Sequence, residues 1–260
     1  MKRLRSALTV LLGLALGLTL QAATPRTVSV AAAADLQFAL VDLQAAFTKV
    51  HPDIDLALTY GSSGNFYAQI VNGAPFDLFL SADETYPQKL MDAGLADRAS
   101  AFRYSRGRLV LWVPAASPIP LERLGLKALL DPAAKKVAIA NPRHAPYGRA
   151  AEAALAKLGL LDAVRPRLVY GENIAQTAQF VQTGAADIGI LALSLVKASA
   201  MSGLGRRFEL PLDAYPPLEQ GGVVLTRTRD RAAAWAFRDF LRGPEGVAIL
   251  KRYGFLVDGR

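Results

Sequence analysis

The sequence predicts an α/β architecture with largely parallel sheets, and three observations carry that prediction. Short apolar runs recur that suit strands buried on both faces. Between them lie segments of about 10 to 15 residues with apolar positions at helical spacing. At four places a strand-like run passes into a helix-like one through small, hydroxyl or amide residues, the kind of junction at which α/β sheets collect ligands.

The chain opens Met1-Lys2-Arg3-Leu4-Arg5, continues through an apolar run over 7–20 and reaches Ala22 and Ala23. A basic start, an apolar stretch too short to span a bilayer and small residues at its end are the marks of a cleavable secretory signal peptide, assigned to residues 1–23. The mature protein is expected in the periplasm. No later stretch reaches ~18 unbroken apolar residues. The absence of cysteine excludes disulfides, thiolate metal sites, a catalytic cysteine and a lipid anchor on cysteine. Without Lys2, Arg3 and Arg5 the formal charge of +8 falls to +5, and the remaining basic residues are interspersed with acids, which argues against nucleic-acid binding.

In chain order, residues 28–33 read as an apolar strand. Asp35 then heads a helix whose apolar residues are Leu36, Leu40, Leu43, Phe47 and Val50, stopped at His51-Pro52. Residues 54–60 alternate as a strand, 66–71 form a short helix with Phe66 and Ile70 on one face, and Phe76-Asp77-Leu78-Phe79-Leu80 is a buried-type strand. Beyond Arg106 come a strand over 108–113, a proline-rich connection and a helix over 121–130. The pattern then repeats: a strand at 137–140, a helix closed by Gly159, a strand at 167–170, and a helix over 174–182 closed by Gly184. A strand at 187–193, a proline-rich loop, a strand at 222–226 and helices over 230–241 and 244–252 complete the chain.

The loop Tyr60-Gly61-Ser62-Ser63-Gly64-Asn65 has the composition of an anion cradle. Its glycines permit a turn and close approach, its hydroxyls donate, and the helix start after it offers unpaired N–H groups at a positive dipole end. The four junctions are Ala34-Asp35, Ser62-Ser63-Gly64, Tyr147-Gly148 and Asn173-Ile174. Two precede Arg106 and two follow it, so a small anion held by all four would lie between two lobes.

Five stretches, in the same order through nearly the whole mature chain, resemble the periplasmic molybdate-binding proteins that feed ABC transporters, within the two-lobed periplasmic binding protein class. They are Val30-Ala31-Ala32-Ala33-Ala34-Asp35-Leu36, the serine loop, Gly73-Ala74-Pro75-Phe76-Asp77-Leu78-Phe79-Leu80-Ser81-Ala82-Asp83, Asn141-Pro142-Arg143-His144-Ala145-Pro146-Tyr147-Gly148 and Lys251-Arg252-Tyr253-Gly254-Phe255. The resemblance implies two similar α/β lobes of the type II binding-protein kind, joined by two hinge crossings. Residues 24–105 plus 223–260 would form one lobe and 106–222 the other. It implies a monomer that captures molybdate or tungstate with neutral hydrogen-bond donors and delivers it to a membrane permease, with no cofactor and no catalysis. Ser63 is then a ligand through hydroxyl and N–H, Tyr147 through N–H and, as in some members, a tyrosine hydroxyl, and Ile174 through N–H. Ala34 and Asp35 form the first junction, while Ser62, Asn173 and Leu36 are secondary candidates; molybdenum would be held only as the oxyanion.

Two positions depart from the family pattern. The first junction usually carries a serine, or threonine with asparagine, where this chain has Ala34-Asp35. Ala192 occupies the place of a tyrosine found in some members, and Tyr147 supplies a phenol from the opposite side. A carboxylate facing a dianion in a dry cleft is repelled. Asp35 therefore either folds back as the N-cap of its own helix or accepts a hydroxyl of a protonated oxyanion such as hydrogen phosphate. The rival readings are a receptor for sulfate or phosphate, and an exported serine hydrolase using Ser62 or Ser63, which would need a base nearby and lacks a Gly-x-Ser-x-Gly elbow. His144 and His51 read as loop and helix-end residues.

Overall fold

A computed structural model describes residues 26–257; the signal-peptide assignment lies outside them. Strand β1 (Arg26–Ala33) runs through a short 3-10 turn (Ala34–Leu36) into α1 (Gln37–Val50), followed by β2 (Ile54–Gly61), α2 (Ser63–Val71), β3 (Leu78–Ser81), α3 (Thr85–Asp92), β4 (Phe102–Gly107) and β5 (Leu109–Pro114). After α4 (Leu121–Leu124) come β6 (Val137–Ala140), α5 (Pro146–Lys157), α6 (Leu161–Val164), β7 (Leu168–Gly171), α7 (Ile174–Gln182), β8 (Ile188–Ala192), α8 (Leu193–Lys197), α9 (Ser199–Ser202) and β9 (Gly205–Glu209). Strand β10 (Leu218–Val224) and helices α10 (Arg231–Arg242) and α11 (Pro244–Arg252) close the described chain.

These strands build two five-stranded sheets of matching design, ordered β2-β1-β3-β10-β4 and β7-β6-β8-β5-β9. In each, the first three strands are parallel and the last two antiparallel to their neighbours, so the sheets are mixed rather than largely parallel. The reason is topological. The parallel trios are joined by crossover helices, whereas β4 and β10 connect the sheets and meet side by side without a crossover.

Both connecting strands pair inside the first sheet, so the chain enters the second at Leu109 and is back in the first by Leu218. The boundaries expected between residues 105 and 106 and between 222 and 223 fall within β4 and β10.

The helical spacing read from α1 buries Leu36, Leu40, Leu43 and Phe47 against α10 and α11. Val50, the last residue of that expected stripe, is 56 % exposed at the end of the helix, one turn beyond the buried Phe47. Helices α2 and α3 cover the other face of the first sheet through Phe66, Ile70 and Leu90. The helices after β6 and β7 end at Gly159 and Gly184, with φ of 68° and 75°, left-handed values that glycine adopts without a Cβ clash.

Ala33, Ala34 and Ala82, at strand ends of the first sheet, pack into the core of the second lobe. Small side chains there let the two lobes meet. Among the described residues no helix is long and apolar enough to cross a membrane.

Candidate functional site

The four junctions converge. Ala33, Ala34, Asp35, Gly61, Ser62, Ser63 and Ala82 from the first lobe face Ala145, Pro146, Tyr147, Asn173 and Ile174 from the second around one small cavity. It leaves about 10 Å³ for the centre of a water-sized body, room for little more than one such body. The strands that lead to it, β1 and β2 in one sheet and β6 and β7 in the other, occupy equivalent places in their sheets and meet the cavity at their C-terminal ends. A larger groove of about 750 Å³, lined by Tyr104, Arg106, Glu219 and Val247, lies behind the hinge strands and receives none of these helix starts.

Each junction contributes through its backbone. Helix α2 begins at Ser63, α5 at Pro146 and α7 at Ile174, so the N–H groups of Ser63, Tyr147 and Ile174 lie in first turns, where no preceding helical carbonyl is available. Proline at the first position of α5 costs nothing there and fixes its entry. Asn173 is the N-cap of α7, its side-chain oxygen accepting from Ala175 and Gln176 N–H at 3.0 Å, which occupies that oxygen with structure.

Ser63 Oγ is buried and accepts from Ala82 N–H at 2.9 Å, which leaves its own proton to donate. None of the described residues lining the cavity is cationic. The field inside comes from helix ends and N–H dipoles, an arrangement suited to a small anion.

Asp35 is 1 % exposed and does not cap its helix: the 3-10 turn that contains it has no side-chain cap. Its Oδ2 accepts instead from Tyr147 Oη at 2.9 Å and Gln220 Nε2 at 2.6 Å. Gln220 is held in turn by Ser105 Oγ, which donates to Oε1 at 2.7 Å. Strands β4 and β10 thus supply a buried hinge network behind the site, while Asp35 Oδ1 is buried with no hydrogen-bond partner. Burial pushes the Asp35 carboxyl up to about 6, and the bonds from Gln220 and Tyr147 only partly offset it. Burial also raises the Tyr147 phenol, with the Asp35 charge adding to the effect. The phenol expected to face the ligand therefore donates to Asp35.

The lobes also meet at the rim. Ser62 Oγ lies 3.0 Å from His144 Nδ1, Gly64 N–H donates to His144 O at 2.8 Å, and Asn65 donates to Glu172. Arg149 pairs with Asp83 at 2.6 Å, and Ser194 Oγ donates to the main-chain oxygen of Asp35 at 2.8 Å. The structure is a closed one. Gly64 is required by this approach rather than by a turn: a Cβ there would lie 2.7 Å from His144 O and 2.5 Å from Tyr86 Oη.

Gln220, Ser194 and His144 were missed as site neighbours by sequence reasoning. The one available signal was a glutamine inside the otherwise apolar or small run 220–225.

Comparison with known proteins agrees with this geometry. The family described as bacterial extracellular solute-binding protein matches residues 28–256. The chain is 42 % identical to the molybdate-binding protein ModA of Azotobacter vinelandii, covering 96 % of this chain and 97 % of that one. It is 38 % identical to ModA of Rhodobacter capsulatus, over 95 % and 94 %. The solved periplasmic molybdate-binding protein of Azotobacter vinelandii superposes with a TM-score of 0.82 at 35 % identity, covering 89 % of this chain and all of that one. From its matched length, its fold and its converging helix starts, this chain belongs to the bacterial extracellular solute-binding proteins, within the molybdate-binding family.

Proposed function

We propose that this chain is the substrate-binding component of a molybdate ABC importer, accepting tungstate as well, which captures the oxyanion between its lobes in the periplasm and hands it to the permease. The observation that carries the proposal is the small cavity between the lobes, lined by four helix starts and no cationic side chain. A tetrahedral dianion there receives the N–H groups of Ser63, Tyr147 and Ile174, the Ser63 hydroxyl, and the N–H groups of the turn at Asp35 and Leu36.

In the open form each lobe presents half of this set. The anion binds the closed form more tightly because only there are both halves within reach, and that differential affinity shifts the population to closed. The contacts from Tyr147 to Asp35 and from His144 to Ser62 and Gly64 are made in the same step. No bond of the anion is broken, so release requires only reopening.

One observation recommends the hydrolase reading, the contact of Ser62 with His144. The ring's other nitrogen, however, is 3.6 Å from Glu172, outside hydrogen-bond distance, and the pair straddles two lobes, so no third group orients the imidazole as a base. It serves as a rim contact.

Calorimetry of the mature protein with molybdate, tungstate, sulfate and phosphate tests the proposal. Tight binding of the first two and weak binding of the others is expected. The reverse order overturns the substrate, and absence of binding by any of the four overturns the binding role.

A further inference from the structure

The hinge network leaves one buried atom at the site without a partner. Tyr147 and Gln220 both donate to Asp35 Oδ2, and Asp35 Oδ1 has no donor, although Asp35 lines the anion cavity. Because Asp35 lines the cavity, its ionised carboxylate is strongly repelled by a buried dianion; a neutral acid with its proton on the unpartnered oxygen is a potential hydrogen-bond donor like the other groups in the ring.

We propose that Asp35 takes up one proton from solvent when the anion binds and donates through Oδ1–H, so that capture is proton-linked and specific for an anion able to accept from a carboxylic acid. This rests on the oxyanion-binding role proposed above. The proton moves from water to Asp35, no bond of the anion changes, and the site holds the charge of the dianion alone.

The groups around Asp35 favour this. From β4, Tyr104 approaches it; from β10, Gln220; from α5, Tyr147; and from α8 the neutral hydroxyl of Ser194 bonds its main-chain oxygen. The N–H groups of Asp35 and Leu36 on its own turn weakly favour the ionised form. None of these is a cation that would hold the carboxylate ionised once a dianion arrives. In the closed form burial already holds the group at about 6, so little more is needed to bring the proton on near neutral pH.

The test is titration calorimetry with sodium molybdate between pH 5.5 and 8.5, in buffers of contrasting ionisation enthalpy, on wild type and Asp35→Asn. Wild type is expected to take up about one proton per anion above pH 6, with affinity falling by up to about tenfold per pH unit, and less of both below that pH. Asp35→Asn is expected to take up none. As a readout independent of the variant, a carboxylic acid C=O band appears in the infrared difference spectrum of the wild-type protein when molybdate is added at pH 7.5.

Saturable molybdate binding without proton uptake or the band overturns the proposal and leaves the binding role standing. Histidine is the other side-chain type that takes up protons in this range. Uptake that persists in Asp35→Asn and disappears in His144→Gln assigns the linkage to the rim and also overturns the proposal. Absence of binding by molybdate, tungstate, sulfate and phosphate at every pH removes the binding role itself.

Discussion

Tyr147 Oη donates a 2.9 Å hydrogen bond to Asp35 Oδ2 across the lobe boundary, and both residues are buried. This contact ties closure of the lobes to the ionisation of a carboxyl group.

Replacing Tyr147 with phenylalanine leaves Asp35 with Gln220 as its remaining side-chain donor. The lost bond favoured the ionised form, so in the closed form the pH at which Asp35 takes its proton is expected to rise above about 6. Closure loses about 1 kcal/mol or more, and molybdate binds roughly five- to tenfold more weakly. Carboxyl carbon NMR follows the first effect and calorimetry the second; no change in either removes this bond from the mechanism.

Ser63→Ala removes the acceptor of a buried N–H, that of Ala82, together with a donor to the anion. Stability and affinity are both expected to fall, by about 1–3 kcal/mol each. Ser62→Ala, which loses only the contact to His144, is expected to change affinity by less than about fivefold. Equal effects of the two substitutions on molybdate affinity would contradict the assigned roles.

A methyl group at position 64 meets the carbonyl of His144 and the hydroxyl of Tyr86. Gly64→Ala is expected to leave the first lobe folded but to oppose closure by about 1–3 kcal/mol, the usual range for overpacking. Small-angle scattering with saturating molybdate is expected to show a larger radius of gyration than in wild type, and a wild-type radius would refute the steric argument.

Asp35 also sets a pH dependence of stability. Its folded-state value of about 6 lies above the ordinary 3.8, so between those values the folded chain holds a proton that the unfolded chain has lost. The stability this supplies is fully present below about pH 4, declines as pH rises to 6 and is gone above it, an effect on the order of 2–3 kcal/mol. Asp35→Asn removes the ionisable group while keeping an acceptor for Tyr147 and Gln220. Where the lobes are closed, its thermal midpoint is expected to exceed that of wild type at pH 8 and to match it at pH 4. Parallel curves across that range would show that Asp35 does not titrate abnormally.

Most helices and strands were legible in the sequence because their signals are local. The apolar spacing of α1, the proline that opens α5 and the glycines that close α5 and α7 act within a few residues of where they stand. Strand β4 was not recognised: Phe102-Arg103-Tyr104-Ser105-Arg106-Gly107 mixes charge with aromatics, and its pairing with β10 comes from the far end of the chain. The mixed strand directions escaped for the same reason, since a run of apolar residues does not say which neighbour it meets.

The site divides in the same way. Ser63, Tyr147 and Ile174 stand at helix starts, and helix starts are local consequences of sequence, so the chain by itself determined where unpaired N–H groups are presented. The partners of Asp35 were decided only by the tertiary structure. Tyr147 and Gln220 lie 112 and 185 residues away from it, and a side chain that is free to cap its own helix takes those donors because the packing of two lobes and a hinge removes water from around it.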